Sequence, residues 1–223
     1  MARSAAGAVS FGCEALVPAA GCRGAEVRSS VPGGTDMALG ATIYHLTVEL
    51  SDVDRSTYTS LDLRLARHPS ESLRYLLTRT LAYCLCYEEG ISFSKGGLSS
   101  SDEPPVVIHD ATGALKAWID VGAPSAKRLH KASKATDRVV LFTHVDRALL
   151  LKEAQSSPIH RLEAIEVWPL DVAFLERVEA KLDRKLELSL TRSDGTLYLT
   201  IGNETLETTL SCTRLVDAEG LEG

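Results

Sequence analysis

The stretch WIDVGAPSAKRLHKAS, Trp118 to Ser133, sets an aspartate late in an apolar strand, then a Gly-Ala-Pro turn, then a helix carrying lysines. Trp118 and Val121 give Asp120 a largely apolar setting, where a lone carboxylate is costly unless it is paired or ligates a cation. Gly122, two residues on, points to the same strand face and offers no side chain, so a cationic partner has to come from elsewhere. The other acids that could do chemistry have plainer readings beside the functional ones. Glu71 fits a first helical turn, where an anion meets the positive helix end. Asp102 and Glu103 stand beside Pro104 and Pro105, as turn residues do. Lys127 and Lys131 share one helix face, opposite an apolar stripe of Leu129, Ala132 and Ala135, and suit a solvated surface. Just ahead of Glu71, His68 suits either a phosphate or carboxylate contact or the fixing of a turn, and Arg67 either binds phosphate or pairs with Glu71. The serines of LSSSDEPP have no histidine at a Ser-His-Asp spacing, and Gly96-Gly97 lacks the Lys-Ser/Thr of a phosphate loop.

These residues have to be positioned by a fold, and the composition suits one elaborated domain with a sizeable core: 223 residues, 44% apolar and 24% charged. No run approaches the roughly 20 apolar residues of a membrane span, so no membrane partner is expected. A net charge of −6 argues against coating nucleic acid by bulk electrostatics and leaves room for a local basic strip. Five cysteines without paired spacing point to a reducing, cytoplasmic setting, and Cys84 with Cys86 lacks the C-x2-C spacing of a zinc site.

The elements follow from periodicity. Tyr44, Leu46, Val48 and Leu50 alternate with polar residues, and Leu61, Leu63 and Leu65 repeat the pattern, giving a β-hairpin over Ala41 to Arg67 with SDVDRS as a long loop. Ser70 caps a helix with Leu73, Leu76, Leu77, Leu81 and Cys84 as its buried stripe, ended by Gly90. Strands follow at Ile91 to Ser94, Pro105 to Asp110 and Leu115 to Val121, then a helix from Pro124 to Ala135 and a buried strand at Arg138 to Thr143. After a helix at Asp146 to Gln155, a strand at Ile165 to Trp168 and a helix at Leu170 to Leu182, three strands close the chain as a meander, turning at Asp194-Gly195 and Gly202-Asn203. The fold class is α+β.

The order helix, three strands, helix, strand from Ser70 to Thr143, with Glu71, Asp102, Glu103 and Asp120 at particular places on it, resembles the core of PD-(D/E)XK nucleases. It resembles more closely the YaeQ family, which looks like a variant of that fold. MALGATIYHLTVELSDVDR, LARHPSE, DEPP, WIDVGAPSAKRLHKAS, LFTHVDRA and IEVWPLD carry the resemblance over Met37 to Leu215. It implies an α-β-β-β-α-β restriction-endonuclease-like core, with the hairpin and the three-stranded meander as elaborations. It also implies a Mg²⁺- or Mn²⁺-dependent phosphodiesterase or nuclease acting on nucleic acid or another phosphodiester. Asp102 or Glu103 and Asp120 would hold the metal and Glu71 would assist, because Mg²⁺ binds hard oxygen ligands and lowers the pKa of a bound water. Arg67, His68 and Lys127 would contact phosphate. The alternative is a scaffold of the same fold that binds a protein or nucleic-acid partner without cutting.

In the nuclease pattern a lysine stands two residues after the second acid, where this chain has Gly122. If the following helix folds back along the strand, Asp120 lies about 13 Å before Pro124 and Lys131 about 10 Å beyond it, at similar heights. Lys131 is therefore the expected migrated lysine, with Lys127 on the same face as the second choice. Residues 1–36 show neither helical nor strand periodicity and read as a disordered extension ahead of a domain over 37–215, with 216–223 as a flexible tail. Translation starting at Met37 would explain the change in texture. A chain beginning at Met37 is expected to melt at the same temperature as the full chain, and a large drop would show that the leader carries core residues.

Overall fold

The computed structural model describes residues 40–94 and 103–216; the expected extension over 1–36, and Asp102, lie outside the described residues. The alternation of apolar residues produces two long strands, β1 (Thr42–Asp52) and β2 (Thr57–Arg67), in unbroken antiparallel register. Their turn is shorter than the sequence suggested. Asp52 is fully buried at the end of β1 and accepts the Arg55 backbone N–H at 3.1 Å, which closes the chain over residues 53–56.

The tail forms the expected meander, β8 (Lys185–Ser193), β9 (Thr196–Ile201) and β10 (Glu204–Thr209). It is not a separate elaboration: β8 pairs parallel to β1, so hairpin and meander make one five-stranded sheet in the order β10-β9-β8-β1-β2. The second sheet contains β3 (Ile91–Phe93), β4 (Val106–His109), β5 (Leu115–Val121), β6 (Arg138–Thr143), β7 (Glu166–Pro169) and β11 (Thr213–Arg214), in the order β11-β7-β6-β5-β4-β3. Strands β3, β4 and β5 run antiparallel, and β5, β6 and β7 parallel. Gly90 lays β3 on β4: its φ is +87° and a Cβ there would fall 1.9 Å from the His109 carbonyl oxygen.

Among the described residues, four helices complete the α+β fold: α1 (Leu73–Leu85), α2 (Ala126–Ala135), α3 (Arg147–Ala154) and α4 (Val172–Glu179). The larger core joins α1 and α4 to the inner face of the first sheet and to Val106, Ile108, Ala117, Ile119 and Val121 of the second. The smaller core joins Trp118, Val139, Leu141 and Val167, on the other face of that sheet, to Leu129, Ala132, Leu150 and Ala154 of α2 and α3. The layers therefore run sheet, helices, sheet, helices. Among the described residues no helix is long and apolar enough to cross a membrane.

Helix α1 is buried on almost every side, including Thr78, Arg79 and Thr80. The two threonine hydroxyls return to the Arg74 and Leu76 carbonyls at 2.8 Å, which satisfies them inside the helix. Its N-cap is Ser72, which accepts from the Tyr75 N–H at 3.1 Å, and not Ser70, whose hydroxyl is engaged by the His68 ring at 2.6 Å. Glu71 consequently stands just before the helix rather than in its first turn. The helix stops at Leu85, ahead of Gly90, where Arg55 donates to the Leu85 and Tyr87 carbonyls at 2.5 and 2.7 Å.

Asp54 ties the two turns of the first sheet together. Its carboxylate accepts the Asp194 and Gly195 backbone N–H groups at 2.8 and 3.3 Å and pairs with Arg192 at 3.1 Å. The Asp194 N–H foremost, then that of Gly195 and the Arg192 guanidinium, hold its carboxyl below the ordinary 3.8 against some desolvation. A depressed folded pKa gives stability that is present above the unfolded value and lost as pH falls through the folded one. Asp54→Asn is therefore expected to shrink the fall in urea midpoint between about pH 5 and about pH 3. An unchanged pH profile would show that this contact does not couple to folding.

Candidate functional site

Asp120 sits on β5 where its neighbour β4 has already ended, since Val106, the first residue of β4, pairs with Ile119. Strand alternation turns Trp118 and Asp120 toward α2. Asp120 is only 2% exposed. Its Oδ2 accepts from Arg128 Nε at 2.5 Å and Trp118 Nε1 at 3.2 Å, and its Oδ1 from the Val121 N–H at 3.1 Å. The Arg128 guanidinium lies over the Trp118 ring, 5.7 Å from its centroid, and donates to the Glu103 carbonyl at 2.7 Å.

The cation on Asp120 therefore comes from α2, as the spacing suggested, but it is Arg128 and not Lys131. The chain reverses at Gly122, whose φ of +83° is readily adopted by glycine, and Gly122 N–H is tied to the Phe142 carbonyl at 2.8 Å. That early reversal, followed by the Ser125 cap on Arg128 N–H at 3.3 Å, brings the first turn of α2 level with Asp120, and an arginine side chain spans the rest. Gly122 thus serves the turn rather than marking a missing lysine. Lys127 and Lys131 stand exposed on the helix.

Glu71, 3% exposed, is held in the same manner. Its Oε1 is 2.8 Å from Arg79 Nε, and its Oε2 accepts from the other end of that guanidinium at 3.3 Å and from the His68 N–H at 3.2 Å. Burial raises the Glu71 carboxyl pKa, with Arg79 and the His68 N–H opposing it. Arg67 bonds the Glu71 backbone carbonyl at 2.7 Å rather than its side chain. His68 accepts the Ser70 N–H at its Nδ1, 3.2 Å away, and so fixes the turn. Arg79 also donates to the Ala66 carbonyl at 3.0 Å and lies 5.6 Å from the Phe93 ring centroid.

Both pairs act electrostatically on one phenol, that of Tyr75. Burial pushes the Tyr75 hydroxyl up to about 12, Asp120 and Glu71 add to the rise, and Arg128 and Arg79 oppose it. Glu71 and Asp120 are each held by an arginine of their own. Glu103 meets Arg128 through its backbone, with its side chain exposed, and Asp102 lies outside the described residues. Beside Trp118 runs a groove of about 380 Å³ lined by Phe93, Glu103, Pro104, Val107 and His109, among others.

Magnesium needs oxygen ligands free to face it. Here each buried carboxylate already holds a guanidinium, and among the described residues no three His, Cys, Asp or Glu side chains gather around a common point. A divalent ion on Asp120 would stand against the Arg128 charge. The described side chains, as arranged, do not fit a metal. Cys84 and Cys86 offer no alternative: burial pushes both thiols up to about 12.

Sequence reasoning missed Tyr75, Arg79 and Arg128. Arg79 did leave a signal, as the lone charge in LLTRTLAYCL, a run too apolar to leave a guanidinium unpaired. Arg79→Met and Glu71→Gln are each expected to cost about 3 kcal/mol, because each leaves a buried polar or charged partner behind. The double variant should cost much less than their sum, read as a coupling energy in urea unfolding. Additive costs would show that the pair does not act as a unit.

Residues 37–210 match the family model described as "YaeQ protein". The chain is 35% identical over 176 residues to "Uncharacterized protein YaeQ" of Escherichia coli (strain K12), covering 78% of this chain and 97% of that protein. The protein of the same name from Salmonella typhi is 34% identical over the same shares. Among solved structures, the YaeQ protein from Xanthomonas axonopodis pv. citri superposes with a TM-score of 0.70 at 28% identity, over 78% of this chain and 98% of that one. The YaeQ protein from Pseudomonas syringae gives 0.69 at 28% identity, over 77% and 95%.

Proposed function

The chain belongs to the YaeQ family, and from that premise we propose that it is a nuclease-like protein that binds a phosphodiester partner, nucleic acid, without metal-dependent cleavage. The order α1-β3-β4-β5-α2-β6, with Glu71 ahead of the first helix and Asp120 on the third strand, supports descent from the PD-(D/E)XK fold. The observation that carries the reading is the pair between Asp120 and Arg128: the acid that would hold Mg²⁺ holds a guanidinium instead.

The charge distribution supports binding. With Glu71 and Asp120 held by Arg79 and Arg128, α2 presents exposed Lys127 and Lys134 and contains no acid, a basic face on a chain of net charge −6. Phosphates are drawn to such a face by counterion release, which acts locally and does not need a basic protein overall.

A Mg²⁺-dependent phosphodiesterase is the second reading, favoured by the burial of two acids, Glu71 ahead of α1 and Asp120 on β5. Calorimetric titration with Mg²⁺ and Mn²⁺, together with labelled single-stranded, duplex and branched oligonucleotides, separates the two. Binding without turnover is expected, with each of Lys127→Ala and Lys134→Ala lowering the salt slope by about 1. Saturable metal binding and hydrolysis, both lost in Asp120→Asn, would replace this reading with the phosphodiesterase. Failure to bind any oligonucleotide, without turnover, would leave a protein partner as the ligand class and end the nucleic-acid reading.

A further inference from the structure

Among the described residues, strand β2 is the outer edge of the five-stranded sheet, bonded to β1 on one side. Edge strands of soluble proteins are commonly short, bulged or interrupted by proline, because their free N–H and C=O groups template pairing with another chain. This one is 11 residues long, without proline and in unbroken register with β1. Arg79 donates to the Ala66 carbonyl, which marks the upper limit of the free edge.

We propose that two copies of this chain pair edge to edge through β2, antiparallel and two-fold about Leu63, joining their five-stranded sheets into one of ten. In that register Asp62 of each copy faces Arg64 of the other, on the exposed face of the sheet. Within one chain neither residue has an ion pair or side-chain hydrogen bond among the described residues, and β1 sets Thr47 and His45 opposite them. The two adjacent centres do worse, and centres further along leave Asp62 and Arg64 without an opposite charge. Pairing about Asp62 sets aspartate against aspartate, and pairing about Arg64 sets arginine against arginine. A shift by one residue between strands turns a core-facing side chain against a solvent-facing one.

The exposed apolar side chains agree with the register. Tyr58 is 63% exposed and Ile43 is 55% exposed. Ile43 lies beside Ala66 across the hairpin. Pairing about Leu63 sets Ser60 of one copy against Ala66 of the other, so Tyr58 falls on the diagonal to Ala66, within reach of an aromatic ring. The phenol of each copy would then cover the Ala66 and Ile43 of its partner. On the inner face Leu61 of one copy meets Leu65 of the other, extending the apolar row. A strand pair of this size makes a weak, concentration-dependent dimer rather than an obligate one.

Sedimentation velocity on the full chain tests the arrangement. The wild type should dimerise as concentration rises, and Asp62→Arg and Arg64→Asp, both at exposed positions, should each weaken the dimer by about ten- to a hundred-fold with unchanged melting temperature. An equimolar mixture of the two single variants should recover the dimer, because every cross-strand pair is then opposite in charge, and so should the chain carrying both substitutions. A wild type that stays monomeric at its solubility limit would overturn the proposal and leave the edge to some other strand. A dimer indifferent to both substitutions, or single variants that fail to recover on mixing, would overturn it as well.

Discussion

An arginine in the middle of a helix buried between two sheets has to be neutralised where it stands. Arg79 occupies that position in α1, and the partner it draws in, Glu71, lies eight residues earlier, outside the helix. A guanidinium with no partner in that layer would cost several kcal/mol. The loop from His68 to Ser72 is shaped accordingly. His68 gives its backbone N–H to the Glu71 carboxylate, Arg67 holds the Glu71 carbonyl, and the helix cannot start until Ser72. Through Ala66 and Phe93 the same guanidinium reaches the ends of β2 and β3, so one buried charge fixes how the first sheet, the central helix and the second sheet meet.

The second pair repeats the arrangement on the other face of the second sheet, with less burial. Asp120 is as enclosed as Glu71, while the Arg128 side chain keeps about a fifth of its surface in solvent at 19%. The pairs differ in their surroundings. Arg79 bonds internal acceptors, whereas Arg128 bonds the Glu103 carbonyl and lies over Trp118, two residues that line the groove.

Much of the framework was legible because local pattern and final environment agree. The alternation in Tyr44 to Leu50 and the continuous apolar run of Arg138 to Thr143 each have one structural solution, and β5, β6 and β9 begin and end where their turn residues require. What periodicity could not carry was the long-range pairing. β1 and β8 are separated by most of the chain, and nothing in either strand announces a parallel neighbour. The same limit applied to the site. The reach of α2 onto Asp120 was legible, but its register depended on a reversal at Gly122 that counting from Pro124 placed too late, by enough to exchange Arg128 for Lys131. Glu71 was misplaced for a related reason: Ser70 and Ser72 are equally good caps in isolation, and the choice is made by His68 and Arg79.

These pairs change what an acid in such a sequence can be taken to mean. In a metal-dependent nuclease the carboxylates persist because the ion needs them. Once each has acquired an arginine partner, a second reason to persist takes over, since losing either acid strands a guanidinium among apolar neighbours. An acid at Glu71 or Asp120 is then expected whether or not a metal is ever bound, and the informative position becomes the cation beside it. In this chain both cations are arginines whose planar forks engage their carboxylates through Nε, with Arg79 also reaching the second oxygen, and whose charge cannot be shed at any ordinary pH. A lysine could release its proton or swing aside to admit an ion. The guanidinium on Asp120, bonded to the acid and to a backbone carbonyl while stacked on indole, has to break all three contacts to do so.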